Sequence, residues 1–112
     1  MATIKYPFGQ ADSSVLAVTG NTAITILNQV TLIDGVTAPL TGAVTINLTI
    51  DTNVMVGSVI FMKLSTVGVT TVTLGTKFIC PVITGVAGKT ITARFYYDGT
   101  NFLASSAPYQ IN

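Results

Sequence analysis

Glutamate, histidine and tryptophan are absent from this 112-residue chain, and charge of either sign is scarce. Charged residues make up 8% of the sequence, against about 25% in an ordinary soluble domain. Without histidine, the common general acid–base pair, the Ser–His nucleophile and the Cys/His zinc centre are unavailable. The cations Lys5, Lys63, Lys77, Lys89 and Arg94 are scattered and form no basic tract. Nothing here neutralises a phosphate backbone, so nucleic acid is not an expected partner. The single cysteine, Cys80, cannot form an internal disulfide. It stands in the apolar run Phe78-Ile79-Cys80-Pro81-Val82 and reads as a small buried hydrophobe.

What is present is hydrophobic and rich in threonine. Hydrophobic residues reach 49%, and 19 residues are Thr. Low charge with high hydrophobicity is the reverse of a disordered composition. The uncharged stretch from Val36 to Ile50 is interrupted by Pro39, Gly42 and Asn47, so it is not a spanning helix. The first residues lack the basic and apolar regions of a signal peptide, which predicts a chain made in the cytoplasm without cleavage. A folded surface with so little charge is poorly soluble by itself. The expectation is that copies of the chain, or a partner, cover much of it.

Periodicity is two almost throughout. In Val44-Thr45-Ile46-Asn47-Leu48-Thr49-Ile50 the aliphatic residues face one way and Thr45, Asn47 and Thr49 the other, the pattern of a half-buried strand. Turn residues punctuate the chain about every ten positions, as in sandwiches and barrels. The strands expected are 15–19, 22–28, 30–33, 43–50, 57–65, 69–74, 78–84, 89–97 and 101–106, with almost no helix. Asp98-Gly99 between alternating apolar runs predicts a hairpin. The fold expected is all-β: a compact antiparallel β-sandwich or jelly-roll-like domain over 15–112, with an extended N-terminal arm over 1–14. A weak echo links Thr19-Gly20-Asn21-Thr22-Ala23-Ile24-Thr25-Ile26 to Thr41-Gly42-Ala43-Val44-Thr45-Ile46. It is too short to predict a repeat architecture.

The search for chemistry returns turns and core. Of the four carboxylates, Asp34, Asp51 and Asp98 lie in predicted turns, where Asp caps local amides. Asp51-Thr52-Asn53 lacks the glycine and distal Glu of a calcium loop. Gly85-Val86-Ala87-Gly88-Lys89-Thr90 ends like a phosphate-binding loop but is too tightly spaced and precedes a strand. No catalytic residue, metal or cofactor is expected, and the chain reads as a non-enzyme. Apolar residues near the termini, Ile4, Tyr6 and Phe8 in the arm and Tyr109 and Ile111 in the tail, are the candidate partner contacts.

The second half adds a family likeness. Asp51-Thr52-Asn53-Val54-Met55-Val56-Gly57-Ser58-Val59-Ile60-Phe61 is followed by Thr71-Val72-Thr73-Leu74-Gly75. Then comes a strand that ends in Tyr97-Asp98-Gly99-Thr100-Asn101-Phe102. Over residues 40–106 this order resembles the small β-domains of tailed-bacteriophage virion proteins: capsid decoration proteins, head fibres and tail-fibre tips. In these a final hairpin commonly reads Tyr-Asp-Gly-Thr-x-Trp, and Phe102 stands where that Trp would be. The resemblance implies a virion structural subunit on the particle surface, often a trimer, with no catalytic residues. Its partners would be copies of itself and the major capsid protein or another virion protein. A carbohydrate-binding or host-adhesion module, meeting a host surface glycan, is the alternative. The short length fits a decoration or head-fibre subunit better than a complete tail fibre.

Overall fold

Thr, Val and Ile fit a pleated surface because branching at Cβ restricts χ1, and the chain uses them to build strands. A computed structural model describes residues 11–112 and shows eleven strands among them. These are β1 (Ala11–Val15), β2 (Gly20–Ile26), β3 (Val30–Leu40), β4 (Val44–Ile50), β5 (Val59–Thr66) and β6 (Thr71–Leu74). They are followed by β7 (Phe78–Ile79), β8 (Ile83–Thr84), β9 (Thr90–Tyr97), β10 (Phe102–Ala104) and β11 (Tyr109–Gln110). The fold is all-β, with no helix among the described residues.

Two sheets share one core. The larger has seven strands in the order β1-β3-β5-β9-β10-β7, with β11 also paired to β9; the smaller runs β2-β4-β6-β8. From β1 to β6 the chain alternates between the sheets, so it winds three coils, β1β2, β3β4 and β5β6. Successive coils stack in parallel, β1 on β3 on β5 and β2 on β4 on β6. The expected antiparallel arrangement is therefore corrected for this half of the fold. Every link crosses to the other layer instead of reversing as a hairpin, so the next strand of each sheet enters in the same direction. Period-two alternation is blind to this, since it reports one buried and one outer face whichever way the neighbour runs. Antiparallel pairing follows later, with β9 on β5, β10 and β11 on β9, and β8 on β6.

The short echo falls on these coils. Its two halves lie on β2 and β4, which are stacked neighbours with Ala23 beside Asn47 and Ile24 beside Leu48. Residues 11–14, placed in the arm by the sequence reading, pair with β3 as most of β1, Asp12 beside Thr31 and Ser14 beside Ile33.

The core closes on alternate residues of both sheets. Val44, Ile46 and Leu48 of the small sheet meet Ile33, Ile60, Met62, Leu64 and Phe95 of the large one. Phe78 sets its ring edge-on to Phe95 at 4.9 Å. The predicted hairpin joins β9 to β10, and Tyr97 stacks on Phe102 across it at 5.0 Å. Asp98 holds that turn by accepting the Thr100 and Asn101 amides, both at 2.8 Å.

Asp34-Gly35 behaves differently from the expected turn. It lies inside β3, whose register against β5 jumps from Gly35 beside Leu64 to Leu40 beside Thr66. The chain bulges outward there without reversing. The Asp34 carboxylate accepts the amides of Val36 and Thr37 at 2.8 and 3.0 Å, which the bulge has removed from the ladder.

Candidate interaction face

Two-residue periodicity sends every second side chain of the seven-stranded sheet away from the core, and in the two rows that pass through Val30 and Leu32 those outward side chains are largely apolar. Val30, Val59, Tyr96, Leu103 and Ile79 lie in register across β3, β5, β9, β10 and β7. The next outward row places Ser13, Leu32, Phe61 and Arg94 side by side. The third runs Asp34, Lys63, Thr92 and Tyr109. Leu32, Phe61 and Tyr96 are each 40% or more exposed, and Ile79 is 56% exposed. Isolated exposed apolar side chains are normal on proteins, but a contiguous patch marks an interaction surface.

A groove of about 570 Å³ crosses this face, lined by Leu32, Phe61, Lys63, Arg94, Ala107 and Tyr109 among others. The aliphatic and aromatic residues form its apolar part and the two cations its charged rim. A smaller hollow of about 380 Å³ adjoins Val30 and Val59 and carries the exposed side chains of Met55 and Val56. Asp34, beside Lys63, has its carboxyl lowered to about 2, first by the Thr37 hydroxyl at 2.5 Å and then by the Val36 and Thr37 amides. It is a fixed anion, held by its own loop.

Of the residues singled out in the sequence, Ile4, Tyr6 and Phe8 lie outside the described residues. Tyr109 pairs with Thr92 as part of β11 and turns its ring toward the groove, 66% exposed. The Ile111 amide donates to the Thr90 carbonyl at 3.0 Å, and its side chain stays exposed. The tail is thus anchored by its backbone to its own domain and offers its apolar side chains outward. The sequence reading missed Leu32, Phe61 and Ile79. A signal for two of them was present: Val30-Thr31-Leu32-Ile33 and Val59-Ile60-Phe61-Met62 carry large apolar residues at the outward as well as the inward positions.

Among the described residues no group of three or more His, Cys, Asp or Glu is gathered. Cys80 is half-buried, and burial pushes its thiol upward, away from the reactive thiolate. Among the described residues no helix is long and apolar enough to cross a membrane. No protein-family model, curated protein or solved structure matches the chain.

Proposed function

We propose that the protein is a non-enzymatic structural subunit of a bacteriophage virion, which assembles with copies of itself on the particle surface. The observation that carries the assembly half is the outer face of the seven-stranded sheet. Val30, Val59, Tyr96, Leu103 and Ile79 form an unbroken row over five strands, with Leu32 and Phe61 beside them. Joining such faces removes apolar surface from water, at about 25 cal/mol per Å². The charges of this face, Asp34, Lys63 and Arg94, lie in the neighbouring rows and leave the row through Val30 uncharged. The virion half, and the trimer as the number of copies, rest on the likeness of residues 40–106 to phage surface β-domains. Attachment to the capsid protein or another virion component belongs to the same reading.

Light scattering during size exclusion tests it, comparing the natural chain with a Leu32→Ser/Phe61→Ser double variant. An assembly that loses subunits in the variant while the sheet signal in circular dichroism persists supports the outer face. A natural chain that stays monomeric at high concentration overturns it. Binding of labelled protein to purified particles lacking it tests the virion half separately.

The groove favours a second reading, as a glycan-binding module. Phe61 and Tyr109 offer ring faces to a sugar, and Lys63 and Arg94 offer cations to an acidic one. Titration with acidic oligosaccharides, followed through Tyr109 resonances, would show saturable shifts if this reading holds and none if it fails.

A further inference from the structure

The two ends of the coil stack differ. At one end β9 lies antiparallel on β5 and β8 on β6, so the third coil is covered in both sheets. At the other, β1 and β2 are the outermost strands of their sheets among the described residues.

Alternate residues of an edge strand turn their N–H and C=O groups outward. The Gly20 amide donates to the Ala43 carbonyl and the Ile26 carbonyl accepts from the Asp51 amide, both at 2.9 Å. These residues, with Thr22 and Ile24 between them, therefore face β4. Asn21, Ala23 and Thr25 present their backbone groups away from the fold. In β1 the Leu16 amide, just beyond the strand, donates to the Asp34 carbonyl at 2.9 Å. By the same alternation Ala11, Ser13 and Val15 face outward.

Proteins usually blunt such edges with lysine, proline, bulges or very short strands. Among the described residues β2 carries none of these, and β1, five residues long, carries one charge, Asp12, whose carboxylate accepts from the Asn28 side-chain amide. β2 pairs with β4 over seven residues without a break in register. The sequence carries no charge between Asp12 and Asp34, and no proline in β1 or β2. Val15, Val18 and Leu27 are exposed around the same end of the stack.

We infer that this open end pairs with the same end of a second copy, across a two-fold axis that passes through both sheets. β1 then lies antiparallel to its mate and β2 to its mate. The strands suit this symmetry. β1 has five residues and β2 seven, so full overlap sets the midpoints Ser13 and Ala23 opposite themselves. Asn21 comes opposite Thr25, and every one of these residues is an outward-facing one. Full overlap supplies about a dozen main-chain hydrogen bonds, against roughly ten in an ordinary protein interface. Both cores become continuous, because Ile24 of one copy meets Thr22 of the other on the inner face. Head-to-tail stacking is disfavoured, since the opposite edges are β7 and β11 in the large sheet and β8 in the small one, each only two residues long. The pairing uses residues separate from the outer face, and where its two-fold axis crosses the axis of the outer-face assembly at a right angle it doubles the number of copies which that face gathers.

Light scattering on the full chain tests the doubling with Ala23→Lys, Ala23→Asp, and their equimolar mixture. Ala23 is exposed on the solvent side of β2, so the new charges leave the core untouched. The natural chain is expected at an even multiple of 11.7 kDa. Each single variant should show half that mass, through like charges set opposite each other, and the mixture should recover it. Ala23→Pro, which removes an outward amide and no donor of the β2–β4 ladder, should halve the mass as well. Thr25→Lys serves if Ala23→Pro loses its sheet signal. An odd number of copies in the natural chain, or a mass unchanged by these variants, overturns the inference. Loss of the outer-face contact reads differently, because it follows Leu32→Ser/Phe61→Ser and leaves the Ala23 variants still able to halve the mass.

Discussion

The side-chain oxygen of Asn47 occupies the space that a β-carbon at Gly75 would need: a Cβ built there would lie 2.2 Å from it. The contact exists because Asn47 Oδ1 accepts the Thr76 amide at 2.9 Å. Past Leu74 the β4–β6 pairing continues through the Gly75 amide on the Ile46 carbonyl at 2.8 Å and the Leu48 amide on the Thr76 carbonyl at 3.1 Å, and the Asn47 side chain adds a further acceptor between them, in space that glycine leaves open.

Gly75→Ala should therefore destabilise the protein by about 1–3 kcal/mol, the usual cost of forcing an extra carbon into a packed site. Relief requires Asn47 to rotate away from Thr76, because the carbonyl of Ile46, at 3.3 Å, blocks the other direction. In an Asn47→Ala background the same substitution should cost less. Urea unfolding of the four-member cycle measures the coupling. Additive effects would show that the two residues do not meet.

Thr31 offers the opposite sign. It is 2% exposed, and its hydroxyl is buried without a hydrogen-bond partner among the described residues. Threonine holds the β-branched shape of that position while leaving a polar atom in the core. Thr31→Val keeps the shape and removes the desolvated hydroxyl, so it should stabilise by about 1 kcal/mol. The melting temperature should rise by roughly 4 °C. A fall would mean that the hydroxyl is satisfied after all.

These two sites show where sequence reasoning stops. Alternation placed Val44, Ile46 and Leu48 inward and Thr45 and Asn47 outward, and the structure agrees, because burial on one face is a local property of a strand. Asp98-Gly99 also read correctly, since a tight turn is set by its own residues. The parallel stacking of β1, β3 and β5 did not follow, because it depends on which layer each link crosses to, and no local residue encodes that. Asp34-Gly35 looked like Asp98-Gly99 but sits between paired stretches of one strand, so the same dipeptide bends a bulge. On the interaction face Tyr109 was legible as an apolar residue in a polar tail. Phe61 was not singled out: Val59-Ile60-Phe61-Met62 signals that both faces of the strand are apolar, but which of the two is the outer one is fixed only by the neighbouring strands.

Lys77 is the only non-glycine residue with positive φ among the described residues, at 70°. A left-handed backbone brings Cβ against the following carbonyl, at roughly 1–2 kcal/mol for an L-residue. Its position is fixed from both sides: the Phe78 amide donates to Gly75 at 3.1 Å and the Phe102 amide to Lys77 itself at 2.8 Å. Lys77→Gly should relieve the strain and stabilise by about 1 kcal/mol in chemical denaturation, after the entropy that glycine adds to the unfolded chain. Lys77→Ala, which keeps Cβ, should bring no such gain, so the pair of variants separates backbone strain from loss of charge.

Asp34 makes stability depend on pH in a window that can be placed. Its carboxyl is lowered from 3.8 to about 2 in the folded chain, chiefly by the Thr37 hydroxyl and then by the Val36 and Thr37 amides, with Lys63 a smaller contributor. A group whose folded value is depressed contributes stability that is fully present above its unfolded value. That contribution is lost as pH falls from about 4 through about 2, where the proton enters the folded state and the three bonds lose their anionic acceptor. Unfolding midpoints should therefore drop across this interval in the natural chain. Asp34→Asn should lower stability near neutral pH and flatten the decline. The variant will keep some slope, because the Asn101 and Thr100 amides also hold Asp98 below its ordinary value. Adding Asp98→Asn should remove most of that remainder. If the slope survives both substitutions, the acid sensitivity arises elsewhere and the Asp34 bulge is not its source.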